Sequence, residues 1–265
     1  MFVFFLILSL AAAAVYSAAA GFVIWKALLV LILSFLAWNI LYLLFFWIVS
    51  LFIDDAKPRV RQNPVCRFGC DTGPELICRY MGIRPQLTGE ELLPEGRFLM
   101  VCNHRSGFDP IMAMYTLRGH NVSFISKPSN MRIPIVGKTV YGAGFLSINR
   151  DNDREALKTI LTAADYLKRD VCSVAIYPEG TRSRTGELLP FHAGSFKIAQ
   201  KAGVPLVIAA TRGGEKVKKN FPLRRTDMYL DILEVLPAER VKAESTQELA
   251  RYSRDVIARK LEADT

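Results

Sequence analysis

Charge is almost missing from the first fifth of this 265-residue chain: residues 1–53 carry one charged side chain, Lys26. An ordinary soluble protein is excluded by that gap, and an apolar content of 51% excludes a disordered one. Histidine is scarce, with only His104, His120 and His192 to choose from as a general base. Cysteine stops at Cys66, Cys70, Cys78, Cys102 and Cys172, an odd set that argues for reduced thiols rather than a disulfide framework. Cys66, Cys70 and Cys78 have no neighbouring His or fourth Cys to complete a tetrahedral set, so no metal is expected. A Gly-rich nucleotide fingerprint is missing as well. Gly142-Ala143-Gly144 precedes an expected strand instead of opening a helix, so no nucleotide cofactor is expected. No Gly-x-Ser-x-Gly occurs, which leaves a membrane-anchored hydrolase without a nucleophile elbow.

What is present begins with two apolar runs, residues 1–25 and 27–53. Each exceeds the roughly 20 residues that cross a hydrocarbon core. In lipid the backbone must satisfy itself, so both are expected as helices of a membrane hairpin with Trp25 and Lys26 at its apex. A cleaved signal peptide fits less well, because Met1-Phe2-Val3-Phe4-Phe5 has no basic residue and a second apolar run follows. A hairpin that dips into the bilayer without crossing it stays open. Residues 54–64 read as a polar linker, and residues 65–265 as a globular domain. Lys57, Arg59, Arg61 and Arg67 outnumber Lys26, which puts that domain on the cytoplasmic face of the cytoplasmic membrane.

Short apolar runs at 98–102, 122–126, 144–148, 173–177, 204–210 and 228–236 are expected strands. Helical spacing is found over 153–169, 194–201 and 245–261, and a helix is expected to begin near 75–80. The alternation predicts an α/β sandwich with a mixed sheet.

The chemistry-bearing residues cluster at expected strand ends. His104 and Asp109 stand in Asn103-His104-Arg105-Ser106-Gly107-Phe108-Asp109-Pro110, where Gly107 lets the carboxylate fold back onto the imidazole. That is the base and orienter of a triad. Asp109-Pro110 is equally a good helix start, with Asp as N-cap. Tyr177-Pro178-Glu179-Gly180-Thr181-Arg182-Ser183-Arg184 offers donors to an anion, or a solvated turn. Lys127 and Arg150 end two further strands, so a phosphorylated substrate is expected. Cys102 and Ser106 are remote candidates for a nucleophile. The basic, partly apolar stretch 216–225 suits an anionic leaflet or an exposed hairpin; without a nucleic-acid motif, nucleic acid is not an expected partner.

These residues resemble the glycerolipid acyltransferase family. Asn103-His104-x4-Asp109 looks like its His-x4-Asp signature, followed in order by blocks like its second (144–150), its Pro-Glu-Gly-Thr-Arg (177–183) and its fourth (204–209). Within the family the chain most resembles bacterial 1-acylglycerol-3-phosphate acyltransferases. The resemblance implies an acyltransferase-type αβ domain, some members of the family adding an N-terminal helix pair. It implies a fatty acyl donor, either acyl-CoA or acyl carrier protein, and lysophosphatidate as acceptor, giving phosphatidate without a cofactor. It implies His104 as general base and Asp109 as its orienter. Lys127, Arg150, Glu179, Gly180, Thr181 and Arg182 would hold the acceptor. Lys127-Pro128-Ser129-Asn130 departs from the family's Lys-Lys-Glu-Leu, which leaves other acceptors open: glycerol 3-phosphate, a lysophospholipid or a lyso-amino-acid lipid. A non-catalytic lipid-binding scaffold is the reading in which His104 would be dispensable.

Overall fold

The computed structural model describes residues 1–55, 61–183 and 185–263. Lys57 and Arg59, which entered the expected orientation, lie outside the described residues, as does Arg184 of the second cluster. The two apolar runs form helices α1 (Phe2–Ala20) and α2 (Ile24–Leu51), packed on each other. They turn at Gly21, whose φ of 79° lies where a glycine is preferred. Trp25 and Lys26 belong to the first turn of α2 rather than to the connector, with the ammonium 5.5 Å from the indole centroid. Both helices are long and apolar enough to cross a membrane, and most of their large side chains are exposed.

α3 (Pro64–Tyr80) ends where the sequence placed a helix start. Asn63 caps it, accepting from the amides of Val65 and Cys66, and Pro64 takes the first helical position. Gly69, Gly73 and Pro74 are poor helix formers and hid its first half. Gly69 is small for a packing reason: a Cβ there would lie 2.5 Å from the Phe46 ring of α2. Farther along, Tyr42 and Thr72 hydroxyls meet at 2.7 Å, and the Tyr80 hydroxyl donates to Asn39. α2 and α3 therefore run antiparallel. The other side of α3 buries Cys66, Cys70 and Cys78 in the core.

Seven strands follow: β1 (Ile83–Thr88), β2 (Leu99–Cys102), β3 (Val122–Ser126), β4 (Leu146–Ser147), β5 (Ser173–Ile176), β6 (Leu206–Arg212) and β7 (Thr226–Leu236). They form one sheet in the order β1-β7-β6-β2-β5-β3-β4. The stretch from β6 to β4 is parallel, and β7 runs antiparallel to β6, so the sheet is mixed as expected. β1, unmarked by any apolar run, lies parallel to β7 at the edge.

The helices cover both faces. α4 (Asp109–Thr116), α5 (Pro128–Met131) and α6 (Val136–Gly142) follow β2 and β3, and α7 (Asp153–Lys168) follows β4. α8 (Lys197–Ala202), α9 (Val217–Asn220), α10 (Ala238–Ala243) and α11 (Thr246–Ala263) complete the chain. Alternation sends Leu99 and Val101 into a core with α7, α8 and α11, and Met100 and Cys102 into one with α3, α4 and α6. Because five neighbouring strands are parallel, their carboxyl ends lie on one edge. There the loops after β2, β3, β4, β5 and β6 converge, the usual place for a site in an open α/β sheet.

Candidate active site

β2 delivers Asn103 and His104 to this edge. Asn103 is buried and bonds Thr211 at the end of β6 three times: through its amide nitrogen, its amide oxygen and its backbone carbonyl. The strand end carrying His104 is thereby fixed to its neighbour. The His104 imidazole then meets Asp109, Nδ1 to Oδ2, at 3.0 Å. Asp109 is fully buried, and the same Oδ2 accepts from the amides of Arg105 at 2.8 Å and Ser106 at 2.6 Å. Both sequence-level uses of Asp109 are thus resolved. Phe108 takes the N-cap position of α4 without a side-chain cap, and the Asp109 carboxylate reaches back into the preceding loop.

A carboxylate on Nδ1 fixes that nitrogen as the donor and leaves Nε2 as an acceptor. The imidazole retains 18% of its side-chain surface. Beneath it the Tyr177 ring stacks at 4.3 Å and 23°. Tyr177 is buried, which raises its phenol well above the ordinary value and keeps it neutral.

Glu179 lies beside this pair and is only 4% exposed. One carboxylate oxygen accepts from the His104 amide, and the other from the Leu189 amide at 3.0 Å. Burial raises its pKa, and those two amides partly offset the rise. Both oxygens are occupied by backbone, so Glu179 clamps the loop after β5 to the loop after β2. Ser183 adds a bond from its amide to the His104 carbonyl at 2.9 Å.

Two of the arginines lie on the loops around His104. Arg182 lies over the loop of His104 and Asp109, its guanidinium 3.3 Å from where a Gly107 Cβ would stand. Arg150 donates to the Tyr177 carbonyl at 3.4 Å and lies against Gly180, where a Cβ would collide with its guanidinium. The φ of 79° at Gly180 also favours glycine. Arg150 is exposed as a residue, yet the surrounding protein desolvates its guanidinium and lowers its pKa. Thr181 is exposed on the same turn, and Lys127, also exposed, follows β3 as the N-cap residue of α5.

Cys102 is buried, and burial holds its thiol well above the ordinary value, so it is a neutral core residue. The Ser106 hydroxyl accepts from the Phe108 amide at 3.2 Å. No cluster of three or more metal-ligating side chains exists among the described residues. Gly214, in the loop after β6, escaped the sequence reading. A Cβ there would lie 2.5 Å from Asp109 Oδ1 and 2.7 Å from Ser106 Cβ. The only signal was the pair Gly213-Gly214 after an expected strand.

His104 paired with Asp109 at the carboxyl edge of the sheet, with Arg150 and Arg182 on the adjoining loops, is an arrangement that can accept a proton beside an anion. Comparison with known proteins narrows this. Residues 84–211 match the family model described as Acyltransferase. The 1-acyl-sn-glycerol-3-phosphate acyltransferase of Salmonella typhimurium is 32% identical over 170 residues, covering 63% of this chain and 67% of that protein. The Escherichia coli protein of the same name is 31% identical over the same shares. The crystal structure of the 1-acyl-sn-glycerophosphate acyltransferase PlsC from Thermotoga maritima has the same fold, with a TM-score of 0.60 at 23% identity. That likeness covers 84% of this chain and 89% of the other. The chain belongs to the acyltransferase family and is an acyltransferase.

Proposed function

We propose that the enzyme transfers a fatty acyl group from acyl-CoA or acyl carrier protein to the 2-hydroxyl of 1-acylglycerol 3-phosphate, giving phosphatidate. The observation that carries the chemistry is the 3.0 Å contact from His104 Nδ1 to a buried Asp109 that also receives two backbone amides. The names of the relatives support the substrates.

His104 Nε2 takes the proton of the acceptor hydroxyl as its oxygen attacks the thioester carbonyl. The imidazolium is stabilised by Asp109. The tetrahedral oxyanion collapses, the C–S bond breaks, and the thiolate leaving group takes the proton back from Nε2. A thioester is already activated, so no covalent enzyme intermediate is required. Arg150 and Arg182 flank the base and would grip the acceptor phosphate, where planar guanidinium donors suit a tetrahedral anion. Gly180 and Thr181 would shape the turn between them, and Lys127 would act at the rim. Glu179 would serve the acceptor indirectly, since both of its oxygens hold backbone. Residues 1–53 would anchor the enzyme in the cytoplasmic membrane, with residues 65–265 on the cytoplasmic side.

The test is acyl transfer from labelled acyl-CoA or acyl carrier protein to lysophosphatidate, wild type beside His104→Ala. General-base catalysis is typically worth about 10²–10⁴, and a folded variant should lose that much. Undiminished phosphatidate from His104→Ala would overturn the mechanism. Equal use of phosphate-free acceptors would overturn the roles of Arg150 and Arg182.

A further inference from the structure

Past Gly214, the rest of the segment between β6 and β7 is used by nothing described so far. It carries Lys216, Lys218, Lys219, Arg224 and Arg225, all exposed, against one exposed acid, Glu215. Among the described residues none of these five cations has an ion-pair partner. Between them stand Phe221, 45% exposed, and Leu223, 92% exposed. A leucine so fully presented to solvent amid basic side chains has the composition of a lipid-contacting element.

The segment is held in place. Val217 is fully buried in the core, the Asn220 side chain donates to Thr226, and the Arg224 amide donates to the Asn220 carbonyl at 2.8 Å. Its location is set by Gly82, where a Cβ would lie 3.7 Å from Arg225 Cα. Gly82 follows the end of α3. Two residues earlier, the Tyr80 ring packs on Phe2 of α1 at 5.6 Å and its hydroxyl bonds Asn39 of α2. Since α2 and α3 are antiparallel, the part of α2 before Asn39 continues past the end of α3 toward Gly21. The basic segment therefore lies where the apolar hairpin leaves the body of the protein. It also joins the carboxyl end of β6, on the sheet edge that holds His104.

We propose that residues 216–225 form a second membrane contact, with Leu223 and Phe221 entering an anionic leaflet and the five cations meeting its phosphates. Because α3 ties the hairpin to the catalytic body, a second contact would fix the tilt of the whole molecule against the bilayer. The proposal rests on the reading of α1 and α2 as lipid-embedded, and the experiment separates the two.

Full-length protein carrying a single added cysteine, Leu223→Cys, is labelled with an environment-sensitive fluorophore and reconstituted into vesicles of phosphatidylcholine with phosphatidylglycerol. Phe22→Cys reports the hairpin apex, and Asp255→Cys on α11 reports a distant surface. The native cysteines are all buried, and unmutated protein controls for their labelling. The expected result is blue-shifted emission, quenched by lipid-borne nitroxide, at positions 22 and 223 but not at 255. Signal at 223 should fall in pure phosphatidylcholine. It should fall again at 1 M salt, where the screening length drops from about 10 Å to about 3 Å. It should be lost when Lys218, Lys219, Arg224 and Arg225 are all changed to Glu, with position 22 unaffected. Quenching at 22 without quenching at 223 overturns the second contact and leaves the hairpin reading standing. No quenching at either position overturns both.

Discussion

At the scale of single residues, the dyad depends on one carboxylate oxygen. Asp109 Oδ2 receives the imidazole and two amides, whereas Oδ1 accepts no hydrogen bond from any described residue. In Asp109→Asn the amide oxygen can stay at the Oδ2 position and keep all three bonds, with the amide nitrogen at the unpartnered Oδ1 position. The imidazolium formed in the reaction would then lose its neighbouring negative charge, and turnover should fall by about 10²–10⁴ with little loss of fold, as kinetics beside circular dichroism would record. Glu179 makes a different prediction. Glutamine offers one acceptor where the carboxylate offers two, so Glu179→Gln leaves a buried amide unpaired and should cost about 1–3 kcal/mol in denaturant unfolding. Its pH dependence also has a sign. The folded pKa is raised, chiefly by burial, so the folded state keeps a proton that the unfolded chain has released. The contribution of Glu179 to stability should therefore decline as pH rises from the ordinary carboxylate value through the raised one, and the decline should vanish in Glu179→Gln. The thiols are the counter-case: burial pushes Cys70 and Cys78 up to about 12 and Cys102 well above its ordinary value. Brief treatment with maleimide at neutral pH should leave acyl transfer intact.

At the scale of elements, the site is a junction of strand ends held by backbone contacts that tolerate little added volume. Gly214 shows this most directly, since its missing side chain is what lets the loop after β6 lie on Asp109 and Ser106. A methyl group there has to displace the carboxylate. Displacement of a catalytic group by about 1 Å can cost about 10² in rate, so Gly214→Ala should lower kcat by that order. KM for the acyl donor should change far less, which steady-state kinetics would separate. The elements were only partly legible beforehand. β2, β3 and β5 sit where apolar runs placed them, because a strand buried on both faces is written as a continuous run. β1, with the sequence Ile-Arg-Pro-Gln-Leu-Thr at the sheet edge, has no such run and was missed. The first half of α3 was missed for the opposite reason: its glycines and proline contradict helix propensity, and only the approach of Phe46 explains them.

For the whole molecule, the hairpin and the α/β part are not joined like beads on a string. α3 has one side on α2 and the other in the core below the sheet, so the hairpin and the α/β body share a helix. This limits how deep the hairpin can reach. From Ile24 to Asn39, where α2 first bonds α3, a helix rises about 23 Å, short of the roughly 30 Å of a bilayer core. A thiol at position 22 should accordingly resist an impermeant maleimide added from the far side of sealed vesicles. Labelling from that side would mean that the hairpin spans. Shortening the chain to begin at residue 61 should uncover the α3 side that meets Phe46 and Tyr42. The shortened protein should aggregate without detergent, as sedimentation would reveal.

The sequence by itself determined the two long apolar helices, the alternation of strands and helices, and the pairing of His104 with Asp109. Each of these is written locally: in an unbroken apolar run, in a period of two or 3.6, or in a loop of six residues from His104 to Asp109. Only the tertiary structure decided what surrounds the dyad. Tyr177 under the imidazole, Thr211 on Asn103, Glu179 on the His104 amide and Gly214 against Asp109 come from strands far apart in sequence. The parallel order of β6, β2 and β5 brings them together. Side-by-side strands pair through backbone hydrogen bonds that every residue can make, so the order in which they pair leaves little local trace. It is settled by which faces bury their side chains against which helices.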